Sequence, residues 1–282
     1  MEIKGWKYYN HAAIPGVSPH EVPDLSPIKN GDIWNLDGGK PLLARWTTDF
    51  DCGYETDWWY VIKDTPFNIA ELKAKRRYEI NKGIKNFDVR EIDPTEYREA
   101  LFEVTISAFS AYPEKYRPTV DREDFIISID LWNRYIVFGA FNRETDELCG
   151  YALITEESEK NIALQSMRTV PQHEKNSVNA ALVEGVLNRF NLFLANGGYI
   201  YDGARSVNHE TSFQDYLEKY FGFRKAYCRL YIKYKPNIKT VVRIMYPLRR
   251  FWRLFDSIGL VHQLNAVLLM EEYNEFRKKK QL

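Results

Sequence analysis

Three side chains stand where predicted strands give way to turns, and each could take a proton from an amine or a hydroxyl: Asp202 at the end of YIYDG, His209 in SVNHETS, and Glu156 closing CGYALITE. Each also has a structural reading. Asp202-Gly203 has turn chemistry, His209 could be a helix-entry residue, and Glu156 a solvated strand end. Ser and His do not fall into a nucleophile pair here, because no acidic partner has a defined spacing. The phrase YDGARSVNHETSFQDYLEKYFGF gathers Asp202, Arg205, Asn208 and His209 into one strand-to-helix loop, the kind of segment that lines a site.

The elements that must position these groups are organised around residues 161–190, a strand (NIALQSMRTV), a polar turn (PQHEKNS) and a helix (VNAALVEGVLNRF). A strand feeding a helix N-terminus presents unpaired backbone N–H groups and the positive end of the helix dipole. A phosphate-bearing donor would dock there.

Val170, Pro171 and Leu182 fall without a gap on the Val-x-Pro and Leu positions of the GNAT superfamily of N-acyltransferases, which this corner resembles. The loop departs from the family pattern. Glu174 sits where the family has Arg or Gln, and Ser177 and Asn179 replace its glycines, so side chains and a negative charge occupy the place where backbone closes on a pyrophosphate. The resemblance implies transfer of an acyl group, acetyl from acetyl-CoA, to an amine. It puts the donor where the organising strand splays from the next one, with Thr169 and Val170 on the strand and Ser177, Val178 and Asn179 at the helix start. It also implies an acid that protonates the leaving atom, a Tyr four residues before a Gly-Phe. Gly222-Phe223 matches, the Tyr position holds Glu218, and Tyr216 and Tyr220 flank it. Tyr112, Tyr116 and Arg117 lie where the family builds its acceptor wall, to which Trp58 and Trp59 could add; large aromatics are also ordinary core residues.

A second stretch, LKAKRRYEINKGIKNFDVREI, is similar to a passage of the Fem-type aminoacyltransferases, a family with GNAT-like domains that also lacks the glycine loop. It carries all seven basic residues between Lys73 and Arg90, which read either as a solvated helix face or as a site for an anionic donor or acceptor. That resemblance implies aminoacyl or acyl transfer onto a cell-envelope precursor. A binding module that kept the fold without catalysis is the third reading.

The order of predicted elements from residue 87 to 234 is strand, two helices, three antiparallel strands, helix, strand, helix, strand. It resembles the GNAT fold, an α/β class with a mixed, mostly antiparallel central sheet flanked by helices. The expected organisation is an extension over 1–86 packing on the core, a GNAT-like domain over 87–234 and basic amphipathic helices over 235–282. In the first 50 residues dense Pro and Gly punctuation predicts an irregular layer. Asn68 reads as the cap of a helix running to Gly83, and Pro247 as a start or kink within the last segment.

With 282 residues, 45% of them hydrophobic and 39 − 39 = 0 formal charge, the chain is of ordinary globular composition, and a broad nucleic-acid surface is not expected. The balance is uneven: 235–282 holds 10 basic and 4 acidic residues. Apolar positions over 241–255 alternate with arginines at helical spacing, so this segment is expected either to pack on the core, to meet an anionic membrane face or to take a partner helix. Cys52, Cys149 and Cys228 lack metal-ligand spacing and are expected as buried thiols, with no metal or redox cofactor. No stretch approaches ~20 apolar residues, which predicts a cytoplasmic protein, with the inner membrane face as its one peripheral location.

Overall fold

β-branched and aromatic runs become strands wherever both faces find cover, and the helices fall where the apolar period lengthens to about 3.6. A computed structural model of the chain describes residues 3–114, 117–206 and 212–278. In chain order its elements are β1 (Trp6–Tyr9), β2 (Ala12–Pro15), α1 (Ser26–Asn30), β3 (Leu43–Thr48), β4 (Trp58–Lys63), α2 (Ala74–Asn86) and β5 (Phe87–Ile92). There follow α3 (Arg98–Ser110), α4 (Arg122–Ser128), β6 (Ile136–Asn142), β7 (Leu148–Ser158), β8 (Asn161–Thr169), α5 (Val178–Arg189), α6 (Asn191–Ala195), β9 (Tyr199–Ala204) and α7 (Ser212–Phe221). The chain ends with β10 (Arg224–Tyr234), α8 (Pro236–Met245), α9 (Arg249–Trp252), α10 (Gly259–Glu272) and α11 (Glu275–Lys278). Two compact units emerge, one of Met1–Tyr60, Ala204–Thr211 and Lys225–Leu282, the other of Val61–Gly203 and Ser212–Arg224.

In the second unit β5, β6, β7 and β8 pair antiparallel in sequence order, and β9 adds parallel to β8. The fold class is therefore α/β with a mixed, mostly antiparallel sheet flanked by helices. One face carries α3, whose Leu101 and Val104 pack with Val137, Phe141 and Tyr151 of the sheet. There the Thr105 hydroxyl and the buried Tyr151 phenol satisfy each other at 2.8 Å. On α5, Val178, Ala180, Ala181, Leu182, Val183, Val186 and Leu187 are all buried. A helix apolar on most of its circumference needs cover beyond the sheet, and α2 supplies it.

That packing corrects the reading of Gly83 as a helix end. Gly83 lies inside α2. A Cβ at this position would stand 2.6 Å from the Ser177 carbonyl oxygen and 2.9 Å from the Ala181 nitrogen, so glycine serves close approach of two helices. Asn68, likewise, caps a 3₁₀ turn over Ile69–Glu71, its Oδ1 accepting from the Ala70 N–H at 3.0 Å, and α2 starts only at Ala74.

The first unit is more regular than its Pro and Gly content suggests. β1 and β2 form a hairpin through Asn10 and His11, both at positive φ (45° and 61°), the conformation of a two-residue turn whose twist matches its strands. β2 then adds parallel to β3, and β3 pairs antiparallel with β10, Arg45 opposite Ile232. Ala13, Ala44, Trp46 and Ile33 close one cluster; Trp58, Leu230, Ile232, Val242, Tyr246 and Leu268 close another. The C-terminal helices thus bury part of their apolar residues in the core, and at Pro247 a 3₁₀ turn over Tyr246–Leu248 breaks the helix as expected. Cys149 and Cys228 are buried and Cys52 half-buried.

Candidate functional site

β8 and β9 run together for only three residues, Asn161↔Tyr199, Ile162↔Ile200 and Ala163↔Tyr201, and then part. The cause lies on the other edge of β8. Against β7 the register jumps from Leu153↔Ser166 to Ile154↔Leu164, so Gln165 is an extra residue. A bulge bends its strand and increases the local twist, and here it turns β8 away from β9. A fork opens, floored by the apolar side chains of Ala152, Leu164, Met167, Val183, Leu187 and Ile200. Asp202 is the first residue of β9 beyond the last pair. Strand alternation puts it on the same face as Ile200.

The Gln214 side chain of α7 donates to the Asp202 carbonyl oxygen at 3.0 Å. Burial pushes the Asp202 carboxyl up to about 7, a hydrogen bond from Gln214 opposing the shift. A carboxylate poised near neutrality at the mouth of a fork is suited to take a proton and release it again.

Tyr216 and Tyr220 stand one turn apart on α7 with ring centroids 4.9 Å apart. Burial, reinforced by the charges of Glu79 and of Tyr220, pushes the Tyr216 hydroxyl up, so it holds its proton at neutral pH. Glu79, on α2, also accepts a 2.8 Å hydrogen bond from the Ser177 hydroxyl. α2 covers the start of α5 further: Lys82 reaches the Lys175 carbonyl, and the Asn86 side chain donates to the Asn176 carbonyl at 3.2 Å. Ser177 is buried with φ 67°, Val178 is fully buried, and Asn179 accepts from the Thr169 hydroxyl at 2.8 Å. The Val170 N–H is engaged by the Cys149 carbonyl at 2.9 Å. The helix start therefore presents two carboxylates, Glu79 and Glu174, and no open glycine cradle.

Glu156 is exposed, paired across the strands with Ile162. Its neighbour Glu157 makes the contacts instead, accepting from the Tyr201 hydroxyl at 2.6 Å and the Asn161 amide at 2.9 Å. Tyr112 is exposed, edge-on to Phe109 at 5.8 Å. Tyr116, Asn208 and His209 lie outside the described residues. Arg205 belongs to the first unit, its guanidinium 4.3 Å from both the Trp59 and Tyr273 rings and donating to the Asp57 carbonyl at 2.7 Å and the Tyr273 hydroxyl at 2.9 Å. Trp58 is buried in that unit's core.

Sequence reasoning missed Gln214, Glu79 and Glu157. Glu79 had a signal: it is the one acid among the five cations of α2, Lys75, Arg76, Arg77, Lys82 and Lys85. Gln214 and Glu157 had none, since their partners are fixed by strand register and helix docking.

The sheet, its fork and the α2–α5 packing make a GNAT-like α/β fold. Among solved structures, L-PGS from Bacillus licheniformis matches with 13% identity over 85% of this chain and 83% of that one, at a TM-score of 0.50. A conserved protein of unknown function from Bacteroides thetaiotaomicron matches with 11% identity over 78% of each chain, also at 0.50. FemX overlaps at a TM-score of 0.48, with 10% identity over 78% of this chain and 81% of its own. At these identities the likeness is one of fold. No family model matches the sequence, and no curated protein sequence matches it.

Proposed function

We propose that this chain transfers an acyl or aminoacyl group to an amine at the β8–β9 fork, with Asp202 as the base. The observation that carries the reading is the placement of Asp202, a carboxyl raised to about 7, at the first position of β9 beyond its last pair with β8. In such a transfer Asp202 takes the proton of the attacking ammonium, and the neutral amine forms the new C–N bond to the acyl carbon. As the bond from that carbon to the leaving atom breaks, the leaving atom takes a proton from Tyr216 or Tyr220, and the surplus proton on the new amide nitrogen restores that tyrosine. The acceptor class is a small-molecule or cell-envelope-precursor amine.

The donor divides the reading in two. Acetyl-CoA is the donor that a GNAT-like fold suggests, but the residues at the start of α5 do not fit its pyrophosphate. Glu79 holds the Ser177 hydroxyl, and α2 fills the approach. This covered helix start favours the second reading, a Fem-like transfer whose donor is not seated by a pyrophosphate. The test combines a thermal-shift titration with acetyl-CoA, longer acyl-CoAs and free CoA with a transfer assay over a panel of amines. Saturable stabilisation by acyl-CoA, about 3 kcal/mol at a hundredfold excess over Kd, supports the first donor; no shift in the folded protein leaves aminoacyl donors. With whichever donor turns over, Asp202→Asn is expected to lower the rate about 10²–10⁴-fold, and the wild-type rate to rise with pH through about 7. Wild-type turnover by Asp202→Asn sinks the assignment.

A further inference from the structure

From Lys235 to Phe255 the chain holds six basic residues and no acid. The helices in this stretch are anchored from one side. Val242 and Tyr246 are buried, and Ile238, Met245 and Trp252 pack against the same cluster. On the other side Val241, Ile244, Leu248, Phe251, Leu254 and Ile258 are all exposed, Ile244 by 62% and Leu254 by 77%. Their spacing of three and four makes one continuous row, carried across the 3₁₀ turn at Pro247. Single exposed apolar residues are ordinary, but a contiguous row marks an interaction surface.

The charges around the row identify its partner. Arg249 and Arg253 are held by Glu272, at 2.6 Å and 3.3 Å. Lys239, Arg243 and Arg250 are exposed and form no ion pair among the described residues. A nucleic acid would answer the cations and leave the Ile, Leu and Phe row in water. A second copy would set two predominantly basic faces against each other. An anionic bilayer answers both features, since headgroup phosphates take up the cations and the acyl boundary takes up the apolar row. Among the described residues no helix is long and apolar enough to cross a membrane, so the segment would lie in the interface plane.

We propose that residues 238–258 dock this protein on an anionic lipid surface, with Ile244, Leu248, Phe251 and Leu254 entering the headgroup boundary and Lys239, Arg243 and Arg250 meeting lipid phosphates. The surface is independent of the transfer reading. Co-sedimentation of the full chain with phosphatidylcholine vesicles, with and without phosphatidylglycerol, tests it. Binding is expected only with phosphatidylglycerol present, weakening as salt is raised. Arg243→Gln and Arg250→Gln should each lower partitioning about fivefold, and Ile244→Ser with Leu254→Ser about tenfold or more. Arg243 and Arg250 are exposed and form no ion pair among the described residues, so they keep the test decisive should the serine pair disturb the fold. Absence of vesicle binding, equal binding to phosphatidylcholine alone, or a concentration-dependent dimer abolished by Ile244→Ser would each overturn the proposal.

Discussion

Asp202, the base of the proposed transfer, also bears on stability at the level of one residue. In the unfolded chain its carboxyl loses its proton near 3.8, whereas burial in the folded protein holds the proton to about 7. Between those pH values the folded state binds a proton that the unfolded state has released. The stabilisation is therefore full below the unfolded value and is lost as pH rises through the folded one. At 1.36 kcal/mol per pH unit, tempered by relaxation around the group, the loss is on the order of 2–4 kcal/mol. Urea midpoints of the wild type are expected to fall from about pH 5 to about pH 8, and those of Asp202→Asn to fall less by that amount. Equal pH dependence in the two proteins would mean that the carboxyl is solvated. A strand ending in Asp-Gly made this residue legible. Its partner Gln214 was not, because the docking of α7 on β9 is a tertiary fact that no local pattern records.

At the scale of elements, α2 and α5 come into close contact at Gly83. Gly→Ala inside a helix ordinarily stabilises by about 1 kcal/mol. Gly83→Ala should do the reverse, because the new Cβ would meet backbone atoms of Ser177 and Ala181 at 2.6 Å and 2.9 Å, and backbone cannot swing aside. A net loss of about 1–3 kcal/mol in urea unfolding is expected; a stabilised variant would show that the two helices are not in contact. Elements were legible in proportion to how local their causes are. β5 to β9 and α5 follow from periodicity and chain order, and Pro247 announced its own turn. α2 was misplaced at both ends because a glycine that serves helix contact has the same appearance as one that ends a helix. The hairpin of β1 and β2 was hidden because its turn residues, Asn10 and His11, are not the Asn-Gly or Asp-Gly pair that marks such turns. The fork itself was expected from resemblance, whereas the bulge at Gln165 that opens it has no signature in sequence.

Taken over the whole molecule, a net charge of zero conceals a C-terminal segment that is basic on its surface yet tied into the core by polar groups. Asn274 makes one of these ties. Its buried amide accepts from the Ile232 N–H and donates to the Ile232 carbonyl, both at 3.2 Å, and also donates to Glu271 at 2.9 Å. The side chain thus acts as a strand neighbour for β10, 42 residues away in sequence. Asn274→Leu keeps the volume and removes the bonds. It leaves a backbone donor and a backbone acceptor of Ile232 buried without partners, at about 1–3 kcal/mol each. The expected result is a loss of about 2–5 kcal/mol in urea unfolding, together with new protease cleavage among the basic residues of α8 and α9, which become accessible when the helices lift from Leu230, Ile232 and Trp58. If Asn274→Leu unfolds like the wild type and is cut no faster, the C-terminal helices are held by apolar packing alone, and the amide contributes nothing to their anchorage.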